Sequence, residues 1–247
     1  PAGAAAPARA ARLADLRARA EQGDAAAQLS LGLIYAVGQG VPRDYAKAAE
    51  WYRRSADQGK ALAQLNLAWC YAAGLGVPQD LAHAAAWYRK AADQGEPTAQ
   101  VKLGELYASG DGVPRDEAAA VEWYQRAADQ GDAAAQVKLG LALASGQGVE
   151  RDEVRAVALF RTAAERGKAQ AQFMLGVMLE HGRGVAQNLP DAARWYRRAA
   201  EQDDATAQLN LGACYELGRG VPQDPAQAVV WYRRAAEQGE VRAQANL

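Results

Sequence analysis

Gly38-Gln39-Gly40-Val41-Pro42-Arg43-Asp44, followed by a run ending in Trp51-Tyr52, returns along the chain at a constant step. Copies run from Gly74 to Asp80 with Trp87-Tyr88, from Gly110 to Asp116 with Trp123-Tyr124, and from Gly218 to Asp224 with Trp231-Tyr232. Looser copies run from Gly146 to Asp152 with Leu159-Phe160, and from Gly182 to Asn188 with Trp195-Tyr196. The step is 36 residues throughout (Gly38 to Gly74), and Gln28, Gln64, Gln100, Gln136, Gln172, Gln208 and Gln244 keep it with no insertion or deletion. A fixed period of this length marks a repeat array, so architecture is settled before any chemistry is considered.

Residues 24–59 show what one period encodes. Ala27, Leu31, Ile34 and Tyr35 recur at helical spacing, with Asp24 in place to cap the first helix and Gly38 to end it. Pro42 bars continuation, and Asp44 caps a second helix whose inward face reads Ala48, Trp51, Tyr52 and Ala56, closed by Gly59. Asp80, Asp116, Asp152, Asn188 and Asp224 repeat the cap, and Asp203 once replaces the closing glycine. A lone helix pair of this size buries too little apolar area to stand by itself. Stacked copies cover one another, which predicts an all-α solenoid, an α/α superhelix of helix-turn-helix units. The units are 24–59, 60–95, 96–131, 132–167, 168–203 and 204–239, preceded by a flexible start and capping helix in 1–23 and followed by an incomplete seventh unit in 240–247. The capping helix is expected over residues 8–22, with Leu13 and Leu16 apolar.

The pattern Ala27…Leu31-Gly32…Tyr35, Gly38-x-Gly40-Val41…Asp44, Ala48-x-x-Trp51-Tyr52, Ala56, Gly59 resembles the Sel1-like repeat, a relative of the tetratricopeptide repeat. The match covers about residues 24–247. Departures are Ala68 for the first-helix glycine, Glu150 and Ala186 for the loop proline, and Leu159-Phe160 for Trp-Tyr, which make the fourth unit the least regular. The resemblance implies a right-handed superhelix whose first helices line a concave surface, acting as a scaffold or adaptor rather than an enzyme. Bacterial members are often exported, and several serve signalling or host contact. With the small-residue opening Pro1–Ala8, this implies a periplasmic or secreted segment of a longer protein. One branch carries a cysteine pair in every repeat, and this chain does not match it.

Composition narrows the partners. A formal net charge of −1 and a pI near 6.2 leave no basic footprint for nucleic acid. No apolar run reaches the roughly 18 residues of a membrane span. The two cysteines, Cys70 and Cys214, share one phase four repeats apart, too far for an internal disulfide in a stack, and read as small core residues.

Motifs with chemical potential read as structural. Gly38-x-Gly40 lacks the strand and the third glycine of a dinucleotide loop, so no cofactor is expected. His83 and His181 lie in different repeats; Glu180, His181 and Glu216 are the one grouping worth testing for a cation, and no metal site is expected from them. Ser30, Ser109 and Ser145 have no histidine partner at their own level, and no catalytic residue is assigned. The pairs Arg53-Arg54, Arg197-Arg198 and Arg233-Arg234, followed by Asp57, Glu201 and Glu237, read as a solvated, charge-balanced face.

Positions that change between copies show where function sits. The phase of Ser30 reads Ser30, Asn66, Lys102, Lys138, Met174, Asn210; that of Leu33 reads Leu33, Trp69, Glu105, Leu141, Val177, Ala213; that of Val37 ends in His181 and Leu217. Spaced i, i+3, i+7, these share one helix face, which the resemblance places on the concave side. The candidate partner-binding residues are Leu33, Asn66, Trp69, Lys102, Glu105, Lys138, Leu141, Met174, Val177, His181 and Asn210. A peptide or partner protein is the expected ligand, with a cell-wall glycan as the alternative and self-association through the incomplete seventh unit as a further expectation. Trp69 is either an exposed hot spot or a filler beside Ala68, and Trp123 is expected to be a core anchor.

Overall fold

The computed structural model describes residues 2–247, with side chains from Ala11 onward. It is all-helical, with fourteen helices in consecutive repeats. Helix α1 (Ala2–Glu21) is followed by six pairs: α2 (Ala25–Val37) with α3 (Tyr45–Asp57), α4 (Ala61–Ala73) with α5 (Leu81–Asp93), α6 (Pro97–Ser109) with α7 (Glu117–Asp129), α8 (Ala133–Ser145) with α9 (Glu153–Glu165), α10 (Ala169–His181) with α11 (Leu189–Ala200), and α12 (Ala205–Leu217) with α13 (Pro225–Glu237). The short α14 (Val241–Ala245) closes the chain. Helix α1 begins before the expected start at Ala8, because the alanine-rich opening has high helical propensity.

The caps act as the sequence implies. The Asp24 carboxylate accepts from the N–H groups of Ala26 and Ala27, Asp44 from Lys47, and Asp80 from His83. These bonds hold the three carboxyls below the usual carboxylate range; at Asp24 the largest contribution is the Arg19 guanidinium. Gly38 ends α2 at φ 79°, returning its N–H to Ile34 O. Asp203 adopts the left-handed φ of 63° expected where it replaces glycine. The second loop glycine meets a further demand. A Cβ on Gly76 would lie 2.1 Å from the carbonyl oxygen of Tyr45, so the loop of one pair seats directly on the backbone that opens the second helix of the pair before it.

Two compact units divide the chain, one up to Ala127 and one from Ala128 to Leu247. In the first, Leu13, Leu16 and Ala20 of α1 pack with Ala27, Leu31 and Trp51, so α1 covers the end of the stack. The core continues through Tyr52, Leu67, Cys70, Tyr71, Tyr88 and Leu103, spaced by alanines that let the helices approach closely. In the second unit each helix packs on its chain neighbours from α8 with α9 to α13 with α14, and the largest fully buried side chains include Phe160, Leu175, Met178 and Tyr196.

Of the Trp-Tyr doublet, the second residue is the anchor. Tyr52, Tyr88, Tyr124, Phe160, Tyr196 and Tyr232 are all buried, whereas of the tryptophans only Trp87 and Trp231 are, and Trp51, Trp123 and Trp195 are half-buried. Trp123 is therefore not the core anchor expected of it. Its ring lies on the flank of α7 with the Arg126 guanidinium 4.3 Å from its centre, and Arg54 and Arg198 cover Trp51 and Trp195 in the same way. In two of the three pairs the first arginine is also committed: Arg53 donates to the Tyr71 hydroxyl and Arg197 to that of Tyr215 in the following helix. The expected solvated basic face is a set of ties between repeats plus a cover over indoles.

The periodic glutamines form a buried ladder. Gln28 Nε2 donates to Ala20 O at 3.0 Å, and its Oε1 accepts from Gln58 at 2.8 Å; Gln172 and Gln202, and Gln208 and Gln238, repeat the rung. In the fourth repeat the donor's place is taken by Arg166, whose guanidinium turns to the carbonyl of Gly131. Gln136 Oε1 is left buried without a partner.

Candidate functional site

The face carrying the candidate residues is set by what each first helix turns inward. Gly32 lies under the Tyr52 ring so closely that a Cβ would sit 2.4 Å from it, and Gly104 meets Tyr124 at 2.6 Å. With the glycine, the neighbouring leucine and the ladder glutamine all buried, the phases of Ser30, Leu33 and Val37 turn away from the pair.

In the first unit this face is apolar at its start. Leu33 is 45% exposed and Trp69 44%, joined by Val37 and Leu62, while most other large apolar side chains of the unit are covered. Trp69 is thus open, not a buried filler beside Ala68; its one aromatic neighbour is Tyr45, edge-on with ring centres 6.4 Å apart. Asn66 folds back to donate to Leu62 O at 2.8 Å. Lys102 reaches along its own helix to Glu105 at 2.8 Å, so the charged centre of the proposed groove includes an ion pair. In the second unit Lys138, Leu141, Met174, Val177 and Asn210 are half-buried, and His181 is exposed with Nδ1 2.9 Å from Val177 O. The structure brings Trp69 to Tyr45 and Lys102 to Glu105; it gives Met174, Val177 and His181 one helix face and no shared chemical centre.

The grouping of Glu180, His181 and Glu216 does not gather. Glu180 accepts from the Tyr196 hydroxyl at 2.6 Å and lies 3.7 Å from Arg219, Glu216 accepts from the Tyr232 hydroxyl at 2.6 Å, and His181 bonds to its own helix. Burial and the glutamate acceptors push both tyrosine hydroxyls well above their ordinary range. Among the described residues no three His, Cys, Asp or Glu are placed to hold a metal ion.

The serines are equally committed, Ser30 to Ala26 O, Ser109 to Glu105 O and Ser145 to Leu141 O, each back-bonding within its helix. His83 pairs with its cap Asp80 at 2.7 Å and stacks on Tyr71. Cys70 and Cys214 are free, buried thiols, pushed up to about 11 by burial and so poor nucleophiles. Among the described residues no helix is long and apolar enough to cross a membrane.

Sequence reasoning passed over Arg43 and Tyr45. The signal was present: at the phase of Tyr45 the other copies carry Leu81, Glu117, Glu153, Leu189 and Pro225, so an aromatic ring there is peculiar to one repeat.

A family model for the Sel1 repeat matches residues 25–60, 61–96, 97–132, 133–168, 169–204 and 205–240. Among solved structures, the chain is similar to a protective antigen present in uropathogenic Escherichia coli strains displaying an SLR fold, at 43% identity and TM-score 0.89. The alignment covers 94% of this chain and 50% of that one, so this chain spans about half the length of that relative. It is similar as well to a Sel1 repeat protein from Oxalobacter formigenes, at 39% identity and TM-score 0.79 over 87% of this chain and 89% of that one. An immunity protein from Pseudomonas aeruginosa, at 21% identity and TM-score 0.54 over 85% of this chain and 81% of that one, shares the fold alone. No curated protein matches the chain.

Proposed function

We propose that this chain, which belongs to the Sel1 repeat family, is a non-catalytic scaffold that takes a peptide or a helix of a partner protein on the open face of its first helices. Proteins built from this repeat are generally protein-interaction scaffolds, and their solenoid is typically non-catalytic. One observation carries the finer reading. Trp69 and Leu33 stand open at the same phase of successive repeats, on a face where Ser30 and Asn66 are bonded to their own helices. Such a face has apolar surface to offer and few free polar groups, the composition of a site that buries apolar side chains of a partner.

The test compares capture of proteins by the wild-type chain with capture by a Trp69→Ala, Lys102→Glu double variant, followed by titration of the purified candidate. A partner that binds the wild type directly and loses at least tenfold affinity on the variant supports the reading. Equal binding by both removes the face from consideration. Titration with soluble cell-wall fragments runs alongside, and a Trp69-dependent response to them alone replaces the protein partner with a glycan.

A further inference from the structure

Three copies of the turn that opens the second helix carry arginine, at Arg43, Arg115 and Arg151. In two of them the guanidinium is neutralised two residues on, Arg115 by Glu117 and Arg151 by Glu153. Where the other copies carry glutamine, its amide folds onto a carbonyl seven residues back, as Gln79 does to Ala72 O at 2.9 Å. The first repeat does neither. Tyr45 stands where the carboxylate would be, and the Arg43 guanidinium lies 5.4 Å from the centre of its ring. Among the described residues Arg43 meets no carboxylate, and its side chain is exposed. Tyr45 also meets Trp69. An unneutralised cation, a half-buried ring and an open indole therefore stand in sequence, with the exposed Leu62 two turns before the indole on the same face of α4.

We infer that Arg43, Tyr45 and Trp69 form a recognition subsite for a peptide segment that places a large apolar or aromatic side chain next to a carboxylate. This rests on the reading of the first-helix face as a protein-interaction surface. The chemistry divides between the two ends. The apolar side chain covers the Trp69 indole and Leu62, which lose exposed apolar area. The carboxylate supplies at Arg43 the counter-charge that Glu117 supplies at Arg115, a charge-assisted hydrogen bond. The Arg43 guanidinium already lies over the Tyr45 ring, so less side-chain freedom is lost when the anion arrives. Charge complementarity selects the occupant, because the chain itself supplies the carboxylate in the third and fourth repeats and withholds it here.

The full-length chain is panned against a random octapeptide library, and selected peptides are synthesised and titrated while the indole N–H signal of Trp69 is followed by NMR. That signal is assigned from a Trp69→Phe variant. Two substitutions keep the fold, since other repeats already carry them: Arg43→Gln, the residue at 79, 187 and 223, and Tyr45→Glu, the residue at 117 and 153. The expected peptides combine Trp, Phe or Leu with a nearby Asp or Glu and shift the Trp69 signal. Arg43→Gln weakens them about tenfold or more, and Tyr45→Glu does the same by supplying an internal carboxylate. Replacing the peptide's Asp by Asn weakens binding to the wild type and leaves binding to Arg43→Gln nearly unchanged, the coupling expected of a direct pair. Peptides that shift Trp69 without acidic enrichment, or that bind Arg43→Gln as well as the wild type, overturn the subsite and leave the interaction face standing. If no peptide shifts Trp69, or if only an N-acetylglucosamine oligomer does, both readings fall.

Discussion

Each first helix has two faces that differ in how far the stack constrains them. The inward face repeats Gly, Leu, Ala and Gln with few exceptions because there is little room for change: a Cβ on Gly176 would sit 2.6 Å from the Tyr196 ring, and Leu175 is fully buried. The outward face runs through Ser, Asn, Lys, Met, Trp, Leu, Glu and Val at equivalent phases, and these are half-buried or exposed, with Ser30, Asn66, Ser109 and Ser145 tied to their own helices. Uniformity inside one chain thus marks contact between helices, and variation marks surface that the stack leaves unconstrained.

The largest effect that would break this comparison lies at the buried ring. Tyr196→Ala should cost about 3–5 kcal/mol in urea unfolding, since it empties a fully enclosed site and strips Glu180 of a donor. Trp69→Ala should stay within about 1 kcal/mol, and equal losses would erase the distinction between the faces. Trp123→Ala should fall between them, because its half-buried ring is shared with Arg126.

Next in size is the seam glycine. Gly176→Ala forces a methyl against Tyr196 and is expected to cost about 1–3 kcal/mol, against a change of about 0.5 kcal/mol or less for Ser145→Ala on the open face. The second repeat sharpens the point. Ala68 occupies the glycine's place there and is fully buried, so that one pair already accommodates the methyl.

A gain is expected where the ladder is broken. Arg166→Gln restores a donor to the orphaned Gln136 Oε1 and should raise stability by about 1 kcal/mol, read as a higher urea midpoint at unchanged slope. A loss would show that the Arg166 bond to the Gly131 carbonyl outweighs the rung.

The smallest effect concerns pH. Burial pushes the Tyr88 and Tyr124 hydroxyls up to about 12 from an ordinary 10.0. Because the folded value is the higher, the stability these groups contribute is complete below pH 10 and declines as pH rises towards about 12. Unfolding of a Tyr88→Phe, Tyr124→Phe variant should therefore be less alkali-sensitive than that of the wild type between those limits; an identical decline would locate the sensitivity elsewhere.

Much of the fold was legible in the residues because helix caps and left-handed glycines act over a few positions. Asp24, Asp44 and Gly38 do locally what their own chemistry dictates, and among the described residues Asp203 takes the one non-glycine left-handed turn. The candidate face was legible as a phase, since i, i+3, i+7 positions share a side of any helix. Its chemistry was not. Which member of Trp-Tyr is buried, whether Arg53 is solvated or tied to Tyr71, and whether Glu180 and Glu216 converge all turn on side chains from different helices meeting.

The sequence by itself determined the period, the paired helices, their caps and turns, and which phases vary, for these follow from backbone preferences and apolar spacing within a single repeat. Only the tertiary structure decided that the second ring of each doublet is the anchor, that Gln136 lacks the rung that Gln172 and Gln208 have, and that Arg43 lies over Tyr45, itself against Trp69, and meets no carboxylate among the described residues. Each of these depends on how close one repeat approaches the next. That distance is set by packing glycine and alanine against aromatic rings, and no single repeat contains it.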